Sequence, residues 1–386
     1  MSWSIAPVID WMMHKGRHLP TREEIVGCIC ERVSAAGMPI DRVAFFLWTL
    51  HPQYAGVALF WDGAKVTMSR GVHGFTRTDV YRNSPAARIT EGERVIRRKL
   101  AEPGCAIDFP VLQELRDQGM TDYVMAEVLF SGGVRNSVSL TTRRPGGFTG
   151  RDIAEVQKLL HPFALIMENF NNRDLARTLL ETYLGRISGA RVLEGQIKRG
   201  DGEELDAVIR FSDLRDSTPL SRALGERRFL ELLNDYFEAT AGAVLEHGGE
   251  VLRFIGDASL AVFPTAGEAP RAACERVVAA ARSVREKVGK SNAKRREAGL
   301  PAFNCGVGLH LGRVLYGNIG TADRLEFSVI GAAANEAARI EALCKETGQD
   351  IVLSGGVVAE LGERWPSLGR FSLRGVEKPV EVFALP

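Results

Sequence analysis

The chain has 386 residues, enough for two or three domains, and its 45% hydrophobic and 25% charged residues are ordinary globular values. A net charge of +1 gives no reason to expect nucleic acid or an acidic surface as partner. The six cysteines form no CxxC pair, which points away from a zinc site or a disulfide framework and toward reduced thiols in a cytoplasmic protein. No apolar run reaches the roughly 18 residues of a membrane span, and the N-terminus lacks a basic segment followed by an apolar stretch and a cleavage site.

In chain order, the periodicity of residues 21–36 predicts an amphipathic helix. The segments VAFFLWTL and GVALFWDGAKVTMSR predict strands, the second turning at Asp62-Gly63. Helices are expected over 91–101 and 110–118, followed by the strands DYVMAEVLF and NSVSLTTRR with Gly132-Gly133 as their turn. A long helix starts near Thr149, with Asp152 and Glu155 in its opening turns. This succession resembles a GAF-type sensory domain over about residues 20–170. The likeness is one of architecture, carried by no motif, and leaves PAS-like and other sensor folds open. It implies an α/β GAF-like regulatory domain over residues 1–170 that answers an unidentified small-molecule or protein signal. Trp48, Phe60 and Trp61 lie on β-rich segments where core packing is the default, and His51 and His73 are too dispersed to suggest a metal or haem. Residues 171–204 read as a charged helical linker interrupted by Gly200 and Gly202, as consistent with a plain spacer as with a signalling element.

From residue 205 onward the segments alternate. Strand LDAVIRFSD precedes a helix over about 219–247; strands GEVLRFI and ASLAVFP flank a turn at Gly256-Asp257; a helix over 269–296 follows. Next come strand FNCGVGLHLG with a hairpin partner RVLYGNIG, strand LEFSVIG, helix AAANEAARIEALCKET, strand DIVLSG and a final β pair in FSLRGVEKPVEVFAL. The fold class is α/β (α+β), a central sheet with helices packed upon it. Two carboxylates, Asp213 and Asp257, each end an apolar strand-like run. Placed side by side they can hold divalent metal against a phosphate, which points to phosphoryl chemistry on a nucleotide. Singly, each is explained as a turn or cap residue; as a pair of strand ends, that explanation weakens. Residues 215–218 lead into a helix whose free N–H groups could cradle phosphates, with Ser217 and Thr218 as hydroxyl donors or N-caps. Asn335 and Arg339, four residues apart, share one helix face.

Five blocks, FSDLRDSTPLS, LNDYF, GGEVLRFIGDASLAVF, GLHLGRVLYGNIG and FSVIGAAANEAARIEAL, resemble in order the catalytic domain of class III nucleotidyl cyclases, the adenylate and guanylate cyclase family. The resemblance covers about residues 205–386 and implies a ferredoxin-like catalytic fold acting as a head-to-tail homodimer, each active site shared between two chains. It implies two Mg²⁺ or Mn²⁺ ions per site, held by Asp213, Asp257 and the backbone carbonyl of Leu214. The ribose 3′-hydroxyl of ATP would attack its α-phosphorus, giving 3′,5′-cyclic AMP and pyrophosphate. By the same resemblance Asn335 orients the ribose, Arg339 stabilises charge developing on the phosphate, and Arg374 in SLRGVEKP contacts the terminal phosphates or is a solvated turn residue. Asp216 stands where family members often have glycine, and its charge sits awkwardly beside phosphate. Arg253 replaces the lysine that adenylate cyclases usually carry four residues before the second metal aspartate, and Ser328 occupies the partner position. Arginine has no acceptor for the N–H and NH₂ donors of guanine, which favours ATP over GTP. The alternatives are a guanylate cyclase and a catalytically idle, nucleotide-binding regulatory module. A diguanylate cyclase reading of Gly248-Gly249-Glu250 leaves the later blocks unexplained.

Overall fold

The structure is a computed structural model that describes residues 3–386 apart from 266, 268 and 363. The chain divides into two compact units, Met1–Leu179 and Leu180–Pro386, the boundary falling within one long helix.

In the first unit α1 (Ala6–His14) and α2 (Arg22–Ala35) precede the strands β1 (Arg42–Trp48), β2 (Tyr54–Trp61) and β3 (Val66–Val72). Thr21 starts α2 by accepting the Glu24 N–H at 3.2 Å, as an N-cap should. Next come α3 (Asp79–Arg82), α4 (Pro85–Glu91), β4 (Val95–Arg98), α5 (Pro110–Asp117), β5 (Asp122–Leu129), β6 (Arg135–Thr142) and α6 (Gly150–Leu184). The sheet is antiparallel, ordered β3-β2-β1-β6-β5-β4. One face of it forms a core with α1, α2 and α6 through residues such as Val43, Phe45, Leu59, Leu140, Phe163 and Met167.

The helix expected over 91–101 is not formed. Ser84 caps the shorter α4, Gly92 ends it at φ 126°, and the chain turns into β4. Pairing with β5 overrides the weak local pattern, burying Ile96 and bringing Arg97 within 2.7 Å of the fully buried Asp122 carboxylate.

The second unit continues with α7 (Arg186–Leu193), β7 (Gly202–Leu214), α8 (Ser217–Leu224), α9 (Glu226–Glu246), β8 (Glu250–Ile255), β9 (Ala258–Pro264) and α10 (Pro270–Glu297). Then follow β10 (Cys305–Gly320), β11 (Leu325–Ile330), α11 (Ala332–Thr347), β12 (Ile351–Ser354), α12 (Gly355–Leu361), β13 (Ser367–Phe371) and β14 (Val380–Ala384). The sheet order is β13-β14-β12-β10-β7-β9-β8, with β11 added to β10. Its central part, β10-β7-β9-β8 with α9 and α10 in the two crossovers, is the βαββαβ arrangement of a ferredoxin-like fold. Helices α9, α10 and α12 cover one face through Val208, Tyr236, Val277, Phe303 and Leu353.

Three expectations change here. The helix over 219–247 is two, parted at Gly225, whose φ of 73° neither helix could hold. The hairpin placed at Gly312 is absent: β10 runs unbroken, pairing with β7 from Cys305 opposite Leu214 to Gly317 opposite Gly202, and the true hairpin is β10–β11. Gly312 serves close packing instead, since a Cβ there would lie 2.6 Å from the Ala333 side chain of α11. The last β pair is β13–β14, with SLRGVEKP as the loop between them. Among the described residues no helix is long and apolar enough to cross a membrane.

Candidate active site

Asp213 is the penultimate residue of β7, and its neighbours across the sheet are Ala258 of β9 and Gly306 of β10. Asp257 occupies the two-residue turn joining β8 to β9, directly before Ala258. The register therefore sets the two carboxylates side by side, and the Leu214 N–H donates to the Asp257 carbonyl at 3.2 Å. Burial, then the Asp257 charge, pushes the Asp213 carboxyl up; Arg215 pulls it partly back. Two crowded carboxylates and the neighbouring backbone carbonyl form an all-oxygen set that suits a hard divalent cation, which would relieve their repulsion. Among the described residues no cluster of three or more His, Cys, Asp or Glu could complete a coordination shell, so further ligands would be water or phosphate oxygens, as Mg²⁺ prefers.

After Leu214 the chain turns sharply. Arg215 donates its N–H to the Asn304 carbonyl at 2.8 Å, and Asp216 takes a left-handed conformation at φ 55°, alone among the described non-glycine residues. Ser217 and Thr218 open α8, whose N-cap residue Asp216 makes no side-chain cap bond. A cleft of about 860 Å³ has Asp213, Ser217 and Thr218 on one wall and Arg296 and Lys345 among its other lining residues; Asp257 does not line it.

The helix α11 places Asn335, exposed, and Arg339, half-buried, one turn apart. It lies very close to β10: a Cβ on Gly308 would stand 2.4 Å from the Glu341 backbone nitrogen and 2.6 Å from the Ala337 carbonyl oxygen. The Arg339 guanidinium reaches Gly375 in the β13–β14 loop, the residue that follows the exposed Arg374.

Arg253 on β8 pairs with Glu326 on β11, Nη2 to Oε1 2.5 Å, while its buried Nε has no hydrogen-bond partner among the described residues. Ser328, 3% exposed, lies two residues beyond Glu326 on the same face of β11. Ser328 is opposite Gly317, eleven positions along β10 from the Gly306 beside Asp213, roughly 35 Å of strand. No hydrogen bond or ion pair joins Asn335, Arg339, Arg374, Arg253 or Ser328 to the aspartate pair among the described residues.

Sequence reading missed Glu326 and Glu341. The parity of β11 places Glu326 beside Ser328, a signal the sequence does carry. Glu341, on α11, resembles any solvated helix carboxylate, yet it is buried and bonded to Arg215, Nη2 to Oε1 2.6 Å, tying the turn after Asp213 to α11. Burial raises its carboxyl to about 7, with Arg215 lowering it and Asp213 raising it.

The family model described as the adenylate and guanylate cyclase catalytic domain matches residues 203–385. An uncharacterised protein of Mycobacterium tuberculosis is 32% identical over 242 residues, 61% of this chain and 42% of that protein. That share is more than residues 203–386 can supply, so the likeness reaches upstream of β7. An adenylate cyclase of Anabaena cylindrica is 34% identical over 179 residues, 45% of this chain and 34% of that protein. The chain thus spans less than half the length of these curated relatives. Among solved structures, the guanylyl cyclase Cya2 aligns at 30% identity and a TM-score of 0.43, over 47% of this chain and 92% of that one.

Proposed function

We propose, from the match of residues 203–385 to the adenylate and guanylate cyclase catalytic domain, that these residues convert ATP to 3′,5′-cyclic AMP and pyrophosphate. The observation that carries this reading is the convergence of Asp213 and Asp257 at adjoining strand ends, beside Ser217 and Thr218 at the start of α8. Bound Mg²⁺ or Mn²⁺, two ions per site, would supply charge neutralisation of the triphosphate and acidify the ribose 3′-hydroxyl. Asp213 and Asp257, with the Leu214 carbonyl, would hold those ions; Ser217 and Thr218 would donate to phosphate oxygens. Asn335 orients the ribose, Arg339 meets the charge that develops on the α-phosphate, and Arg374 meets the outer phosphates.

Base choice rests on Arg253 and Ser328. In this reading the Arg253 guanidinium, whose Nη2 pairs with Glu326, would donate to an acceptor such as adenine N1, and the Ser328 hydroxyl would accept from the adenine amino group. One observation favours a second reading, GTP as substrate: Glu326, held against Arg253, offers the carboxylate acceptor that guanine requires and arginine lacks.

We propose that two chains share each site. The exposure of Phe254, Ile255, Ile319 and Ile330 on β8, β10 and β11, apolar side chains that a second copy would cover, supports this. Residues 1–170 act in this reading as a GAF-like regulatory domain and residues 171–204 as the linker. The free thiols accord with a cytoplasmic setting. The test mixes two inactive variants, Asp257→Ala and Arg339→Ala. If sites are shared, each mixed dimer has one intact site and cyclic AMP synthesis returns; no recovery in a mixture shown to form mixed dimers would overturn the reading.

A further inference from the structure

The two faces of the N-terminal sheet are filled differently. Val43, Phe45 and Leu47 of β1 point into the large core with α1, α2 and α6. The alternate residues, Arg42, Phe46 and Trp48, point the other way, toward α3, α4 and α5. On that side the neighbouring strands present small residues, Ala58 on β2, Ser69 on β3, and Ser137 and Ser139 on β6, where a packed core would need large ones. A half-open cavity of about 320 Å³ results, within the range of small-molecule pockets.

Its lining is selective. Trp48, Phe75 and Tyr81 make an aromatic wall, with centroids 5.6 Å apart for Trp48–Phe75, 5.9 Å for Trp48–Tyr81 and 5.1 Å for Phe75–Tyr81. Among the polar side chains that line the cavity are those of Ser137 and Arg42. Ser137 is 3% exposed, and among the described residues nothing hydrogen-bonds its hydroxyl. The Arg42 guanidinium lies over the Phe60 ring at 5.5 Å, and among the described residues no carboxylate is within ion-pair distance of it. Burial depresses its pKa, while Tyr123 and the Glu114 carboxylate, farther off than an ion pair, partly oppose this.

We propose that this cavity binds a small apolar carboxylate, its body against Trp48, Phe75 and Tyr81, its carboxylate on Arg42, and the Ser137 hydroxyl supplying a second polar contact. A guanidinium in an apolar surround discriminates strongly for an anion, because a charge-assisted bond there replaces lost hydration. A neutral amide of the same shape would leave the cation unmatched.

The experiment uses the full chain and a probe set of benzoate, cinnamate, 1-naphthoate and decanoate, each beside its primary amide, read by saturation-transfer NMR. At least one acid is expected to bind with a dissociation constant below about 1 mM and at least tenfold more tightly than its amide. Arg42→Met should bring acid and amide within about twofold of each other, and Ser137→Leu, which fills the cavity, should exclude both. Should Ser137→Leu not fold, Ala58→Val on the adjacent strand fills the same space and carries the same expectation. No binding by any acid, equal binding of acid and amide to the native chain, or unchanged binding after filling the cavity each overturns the proposal. The readout is occupancy alone, so it stands or falls separately from the chemistry assigned to residues 203–385.

Discussion

Replacing Glu341 with glutamine should remove most of the loss of stability that the catalytic unit suffers between mildly acid and mildly alkaline pH. The folded carboxyl protonates at about 7, against 4.5 for the same group in ordinary surroundings. Between those values the folded state keeps a proton that the unfolded chain has released, so stability falls as pH rises. The slope approaches 1.4 kcal/mol per pH unit, about 3 kcal/mol over the window, absent below pH 4.5 and complete above about 7. The Glu341 side chain is only 6% exposed, so solvent screening takes little from this figure. Asp213 is raised too and adds in the same direction, but it does so in both proteins and largely cancels in their difference. Glutamine keeps the shape and a hydrogen-bonding oxygen for Arg215, which at 23% exposure retains some access to water. Urea unfolding followed by far-UV circular dichroism, with chelator present, should show the variant gaining about 3 kcal/mol on the native chain between pH 4.5 and 8. A difference that stays constant with pH, or moves the other way, would refute the burial argument.

Asp216→Gly should be neutral to stabilising by up to about 1 kcal/mol, since glycine adopts the left-handed conformation at φ 55° without a Cβ penalty. Removing a negative charge beside Ser217 should also lower the KM for nucleotide, and a raised KM would contradict the phosphate role of this turn. Arg210 is buried with 1% exposure, bonds only Ser259 at 3.2 Å, and leaves Nε and Nη2 without partners among the described residues. Arg210→Met should therefore be neutral or stabilising by about 1–3 kcal/mol in denaturant titrations, and a loss of 2 kcal/mol or more would show that the cation is compensated.

The parts of the site written into single elements were legible in the sequence. Asp213, next to last in β7, and Asp257, in the turn after β8, follow apolar runs that identify those strands, and the periodicity of α11 is enough by itself to put Asn335 and Arg339 on one face. What escaped depends on partners distant in the chain. The 91–101 segment becomes β4 because β5 pairs with it, and no local pattern records that pairing. Gly312 resembles a turn residue because the usual reason for glycine in a strand is a break; here the reason is the Ala333 side chain pressed against it. The same closeness of α11 and β10, allowed by Gly308, buries Glu341 against Arg215 and turns a nominally solvated carboxylate into one that titrates near neutrality. Glu326 lies between these cases. Its place two residues before Ser328 was readable, but its pairing with Arg253 requires β8 and β11 to meet, which follows only from the curl of the whole sheet.

The central claim is that Asp213 and Asp257 serve one reaction, the closing of a nucleoside triphosphate into its 3′,5′-cyclic monophosphate. The most direct test offers ATP and GTP in parallel, with Mg²⁺ or Mn²⁺, to the purified full chain and to its Asp257→Asn variant, and identifies the products by mass. The account predicts cyclic AMP and pyrophosphate from ATP with the native chain and neither above background with the variant. Undiminished cyclic nucleotide from the variant, or none from the native chain with either substrate, would contradict it.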